Sequence, residues 1–185
     1  AAALVAIIAG WRYRARLAAT VLSLMWGWTA IAYHLVFFAP VNALANLFAF
    51  LFVLQSALFI HFGVLRGRWQ IDSWTGWRST AGWALIAYAG LAYPVVGVMT
   101  GHSYGGIPQF GVTPCPVTLF TFGLLLLSRP PLPWILLAVP VVWSLIGGSA
   151  AFLLGVPQDW PLLVSGILAT ALLWTAAPPS APRLS

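Results

Sequence analysis

Long apolar runs, each near the length that crosses a bilayer, follow one another along this chain with only short connectors between them. A helix needs about 20 predominantly apolar residues to cross a ~30 Å hydrocarbon layer. Leu17 to Phe38, Val41 to Leu65, Gly82 to Thr100, Pro133 to Leu154 and Pro161 to Ala177 meet or approach that length. In hydrocarbon every backbone N–H and C=O must find a partner within the protein, and uninterrupted apolar runs do so as helices. The expectation is an all-α polytopic transmembrane bundle of six to seven spans, forming a single domain over residues 1–185. Ala1 to Ala9 would cover only ~14 Å as helix, so it reads as the second half of a truncated first span.

Charge sets the orientation. Only 5% of the residues are charged against 62% hydrophobic, too few to wet the surface of a soluble domain, where roughly a quarter are charged. The net charge of +6 is carried by arginine, since the chain has no lysine. A nucleic-acid partner would need these arginines gathered on a soluble face beside stacking aromatics. Instead they lie between apolar runs, in Trp11 to Arg16, in Arg66 to Arg78, and at Arg129 and Arg183. Positive charge marks cytoplasmic loops, which points to an inner (cytoplasmic) membrane with the arginine-bearing loops inside and the lipid bilayer as principal partner. The segment Pro116 to Ser128 is short enough to be re-entrant. A full crossing puts all the arginines on one side, whereas re-entry moves Arg129 and Arg183 outside, so charge favours the crossing. The tryptophans of Arg66 to Arg78 suggest a segment lying in the headgroup layer.

With that topology, scattered polar residues converge on the outer side. His34 lies near the outer end of its helix, His102 and Tyr104 in the loop that precedes the single cysteine, Cys115, and Gln158 and Asp159 in the last outer turn. Imidazole, thiolate and carboxylate together suit a borderline divalent metal such as zinc or copper, so His34, His102, Cys115 and Asp159 are candidate ligands. Tyr33, Asn42, Tyr104 and Gln158 are candidate contacts for a small polar ligand. The competing reading is that these groups only hydrogen-bond neighbouring helices, and no CxxC, HxxxH or HExxH spacing singles out a metal site. A haem between His34 and His61 is not expected, because the two histidines belong to opposite depths. No catalytic set emerges: the two carboxylates, Asp72 and Asp159, fall on opposite sides, which excludes paired acid–base work, and the expectation is a protein that is not an enzyme.

Local chemistry gives further expectations. Cys115, between Pro114 and Pro116, reads as extended backbone, because a residue preceding proline avoids the helical region. Thr118 and Thr121 would bond back to helix carbonyls, and Tyr93-Pro94 would kink its span. Gly147, Ala151 and Gly155, with Ser144 and Gly148 on the adjoining ridge, form a small-residue face for close helix packing.

Several segments resemble a known family. Ala32-Tyr33-His34 with Phe37-Phe38, Gly101-His102-x-Tyr104, Phe110-Gly111-x-Thr113-Pro114-Cys115-Pro116-x-Thr118 with Phe120-Thr121-Phe122-Gly123, and Gly155-Val156-Pro157-Gln158-Asp159 carry the likeness. It is to a family of uncharacterised bacterial multi-pass membrane proteins, a domain of unknown function, in which proline stands where this chain has Gly105. The resemblance implies a membrane location and no activity. Two roles follow from the whole reading: a membrane protein that binds a metal or small polar ligand at the outer cluster, or a lipid-embedded accessory subunit of a larger membrane complex.

Overall fold

The structure, a computed structural model, describes residues 2–71, 76–100, 110–129 and 131–175. Among these residues the chain is helical and holds no strand, only one isolated antiparallel bridge between Ile71 and Ser128. In order the helices are α1 (Ala2–Ile8), α2 (Arg14–Phe38), α3 (Ala45–Leu65), α4 (Trp77–Met99), α5 (Pro114–Leu126), α6 (Ile135–Leu154) and α7 (Trp160–Thr175). Four of them, α2, α3, α4 and α6, are long and apolar enough to cross a membrane.

The bundle is built around α5. Every residue of this short helix except Cys115 is buried, and α2, α4, α6 and α7 all pack against it. A helix that is apolar all round needs cover on every side, and here protein supplies it. At 13 residues it is ~20 Å long, and it packs along α4. Arg78, at the start of α4, donates to the Ser128 carbonyl just beyond the end of α5. Arg129 N–H bonds Gln70 O at 2.8 Å, so Arg129 stands with Arg78 and Arg14 at one end.

Hydrophobicity does not separate inside from outside. Phe37, Leu91 and Leu153 are 73%, 71% and 88% exposed, as faces turned to lipid would be. The interior is marked instead by small and polar residues, whose backbones approach closely and whose side chains bond across helices. A Cβ on Gly123 would lie 2.8 Å from Gly82 O, and one on Gly63 would lie 2.3 Å from Ala19 Cβ. Trp26 Nε1–H donates to Thr121 Oγ1 at 2.9 Å, Ser23 and Ser56 hydroxyls meet at 2.9 Å, and Gln55 Nε2 donates to Leu136 O at 3.0 Å.

The expected back-bonding of two threonines is met, and the proline step shows its own local geometry. Thr118 and Thr121 hydroxyls bond back to Pro114 O and Val117 O, each at 2.8 Å. The Tyr93-Pro94 step is relieved by wide turns over Tyr88–Ala92, where the Tyr93 N–H reaches back five residues to Tyr88 O. That looser turn gives the proline ring room without ending the span.

Three expectations are corrected. Cys115 is helical, not extended: α5 opens at Pro114, and the extended residue is Thr113 (φ −111°, ψ 153°). Both prolines thus sit in the first turn, where their missing N–H groups have no intrahelical acceptor to lose. Of the tryptophans expected at the surface, Trp77 is 66% exposed and Trp74 lies outside the described residues, but Trp69 does not lie at the surface. It is 1% exposed, packs on Phe59 with ring centroids 5.8 Å apart, and donates its indole N–H to Ser128 Oγ. On α6 the small-residue face does pack on α7, where a Cβ on Gly147 would lie 3.2 Å from Leu162 Cδ2 and one on Gly148 2.9 Å from Leu163 N, and the correction concerns Gly155 alone. Gly155 instead caps α6 in the left-handed region (φ 64°, ψ 44°), a conformation glycine adopts without penalty.

Candidate functional site

A single turn at Pro157–Asp159 joins α6 to α7 and inserts two polar side chains into the bundle end opposite the arginines. The close Gly148–Leu163 contact holds these two helices together and so fixes where the turn lies. Gln158 is fully buried and Asp159 is 8% exposed. Tyr93 of α4 donates its hydroxyl hydrogen to Asp159 Oδ1. Tyr88, one and a half turns earlier, donates to the Gln158 carbonyl at 2.9 Å.

Cys115, in the first turn of α5, is a neighbour of Asp159 without a hydrogen bond of normal geometry. Burial pushes the Asp159 carboxyl above the ordinary carboxylate range, and the Tyr93 bond and the nearby Cys115 thiol act in the opposite direction. Burial is the larger influence, because taking a carboxylate out of water costs more than these contacts restore. Tyr33 of α2 stands within electrostatic reach of both Cys115 and Asp159.

His34 occupies a neighbouring pocket with different chemistry. It is fully buried among aromatic rings, with centroids 4.6 Å from Phe52, 5.3 Å from Trp143 and 5.8 Å from Phe48. Neither ring nitrogen has a hydrogen-bond partner among the described residues, and the same holds for the Gln158 side-chain amide and Trp143 Nε1. Trp143 links the two regions, since its ring packs on His34 and its edge borders Cys115 without a hydrogen bond of normal geometry. Unpartnered buried polar groups are uncommon in native proteins. His34, Trp143 and Gln158 bring several of them into neighbouring positions here.

The structure thus places Cys115 and Gln158 beside Asp159, with His34 one aromatic ring away and Tyr33 packed on His34. Asn42 stands apart: it is exposed, and its side-chain carbonyl accepts the Leu44 N–H at 3.0 Å within the α2–α3 turn. His102 and Tyr104 lie outside the described residues. Among the described residues no three of His, Cys, Asp and Glu are placed to hold one metal ion. His61 is exposed on the last turn of α3. Tyr88, Tyr93 and Trp143 are site residues that carry no motif. The signal they did carry is physical: a tyrosine or tryptophan inside an apolar span needs a partner for its polar end, and Asp159 is the carboxylate on that side.

Fold and site together define an all-helical protein with membrane-length helices, a buried central helix and a buried carboxyl cluster at one end. The chain matches the family of unknown function DUF6064 over residues 1–178 and belongs to it. No curated protein and no solved structure matches it.

Proposed function

We propose that this is a multi-pass protein of the bacterial inner membrane that binds a small polar ligand at the Asp159 cluster. On this reading α5 and α7 cross together with the four longer helices, the arginine end faces the cytoplasm, and the cluster faces outward. The role is binding, not catalysis. The observation that carries the proposal is the buried Asp159 carboxyl, held by Tyr93, beside the unpartnered polar atoms of Gln158 and His34. Ionisable groups at membrane depth are costly and mark ligand or proton pathways. A ligand with both donors and acceptors would satisfy these groups. A zinc or copper ion would need a third ligand from beyond the described residues, such as His102, so an organic ligand is preferred.

The test is purification of the full chain from native membrane, with mass spectrometry of co-purifying small molecules and elemental analysis. A polar compound should accompany the wild type and be absent from Asp159→Asn. Stoichiometric zinc or copper would replace this reading with the metal site. Retention only of partner proteins would replace it with an accessory-subunit role.

A further inference from the structure

The opposite end of the bundle holds a second polar feature, independent of the cluster. A cavity of about 510 Å³ opens between the α1–α2 turn and the strap that follows α3, and Arg12, Arg14, Arg16 and Arg129 line it with Gln70 and Gly10. A depression of about 530 Å³ adjoins it, sharing Gln70 and Arg129 and adding Arg68. No carboxylate among the described residues lines either. Four guanidinium groups gathered around one cavity make its potential positive, which suits an anion. Asp72 follows the lining residue Ile71 and lies outside the described residues.

The arginines are also held in place. Arg12 bonds the Tyr13 hydroxyl and its guanidinium lies 4.4 Å over the Tyr13 ring, with that of Arg16 5.9 Å from the same centroid. Arg14 Nε is fixed to Ile71 O at 2.7 Å. Pre-ordered guanidinium forks match the paired oxygens of a phosphate. The surroundings give the depth. Trp11 and Tyr13 are exposed beside the exposed apolar side chains Val5 and Ile8, an arrangement that places the cavity at the headgroup level of a membrane.

We infer that this cavity binds a phosphate ester, the headgroup of an anionic phospholipid whose acyl chains run beside Val5 and Ile8. Basic pockets between helices at a membrane surface are suited to such headgroups. The experiment is native mass spectrometry of the full chain in neutral detergent, titrated with phosphatidylglycerol, phosphatidylcholine or inorganic phosphate. Phosphatidylglycerol adducts should exceed those of phosphatidylcholine. Arg12→Gln and Arg16→Gln should each weaken phosphatidylglycerol binding about fivefold, the change expected for one cation beside an anionic headgroup. Arg66→Gln removes the same charge outside the cavity and should have little effect. Both substituted side chains are exposed, and either variant decides the matter if the other does not fold. Equal binding of the two lipids, or an equal loss in Arg66→Gln, overturns the inference. Displacement of phosphatidylglycerol by inorganic phosphate at matched concentration assigns the cavity to free phosphate and overturns the lipid assignment.

Discussion

Tyr93 donates its hydroxyl to Asp159 across 66 residues of sequence, joining the middle of α4 to the turn between α6 and α7. This bond is buried at both partners. Replacing Tyr93 by Phe should leave the carboxyl one donor short at a cost of about 1–3 kcal/mol. Thermal unfolding of the detergent-purified chain measures the loss, and an unchanged midpoint would mean that the bond contributes nothing to the fold.

The same carboxyl sets a pH dependence. Burial holds Asp159 above its ordinary value, which is about 3.9 in an unfolded chain. Between that value and the raised one the folded state binds more protons than the unfolded state, so stability falls as pH rises through this window. Below the window both states are protonated, and above it both are ionised, so the slope vanishes on either side. Asp159→Asn should flatten this part of the stability profile. A profile identical to that of the wild type would show that Asp159 does not titrate there.

The crossing of α4 and α5 depends on two glycines. A Cβ at Gly123 would lie 2.7 Å from Ile86 Cγ1 and 2.8 Å from Gly82 O, and a backbone atom cannot swing aside. Gly123→Ala should therefore destabilise by about 1–3 kcal/mol. Gly90→Ala is the control, because a Cβ there meets nothing within 4 Å. Its expected effect is a gain of about 0.5–1 kcal/mol from helix propensity. Equal behaviour of the two variants in unfolding titrations would contradict the close packing.

Trp26 and Thr121 form an interhelical bond with both partners fully buried. Thr121→Val should strand the indole N–H and cost about 1–3 kcal/mol. Trp26→Phe removes the donor but also leaves space. The double variant should cost less than the sum of the two, with a coupling of about 0.5–3 kcal/mol for residues in contact. Strict additivity would show that the bond is not made.

Sidedness can be read with single cysteines in a Cys115→Ser background. Asn42 is exposed at the cluster end, and Arg68 is exposed at the arginine end. Asn42→Cys should react with an impermeant maleimide in intact cells, and Arg68→Cys should be protected. The opposite pattern inverts the proposed orientation.

The sequence by itself determined the helices and the grouping of charge. Apolar runs of membrane length have few ways to satisfy their backbone other than as helices. Arginines placed only at alternate ends of those runs must collect at one end of the bundle, as Arg14, Arg78 and Arg129 do. The back-bonding of Thr118 and Thr121 was legible for the same reason, since it joins neighbours on one turn. Tertiary structure alone decided which groups meet. In a membrane protein lipid-facing and buried surfaces are equally apolar, so no period in the sequence marks the face of α4 that turns Tyr93 toward Asp159 or the strap that buries Trp69. Those choices come from close backbone approaches at Gly82–Gly123 and Gly148–Leu163, which set the rotation of each helix. With the rotations fixed, Asp159 gains Tyr93 and Cys115, His34 gains an aromatic cage, and Asn42 is left at the surface.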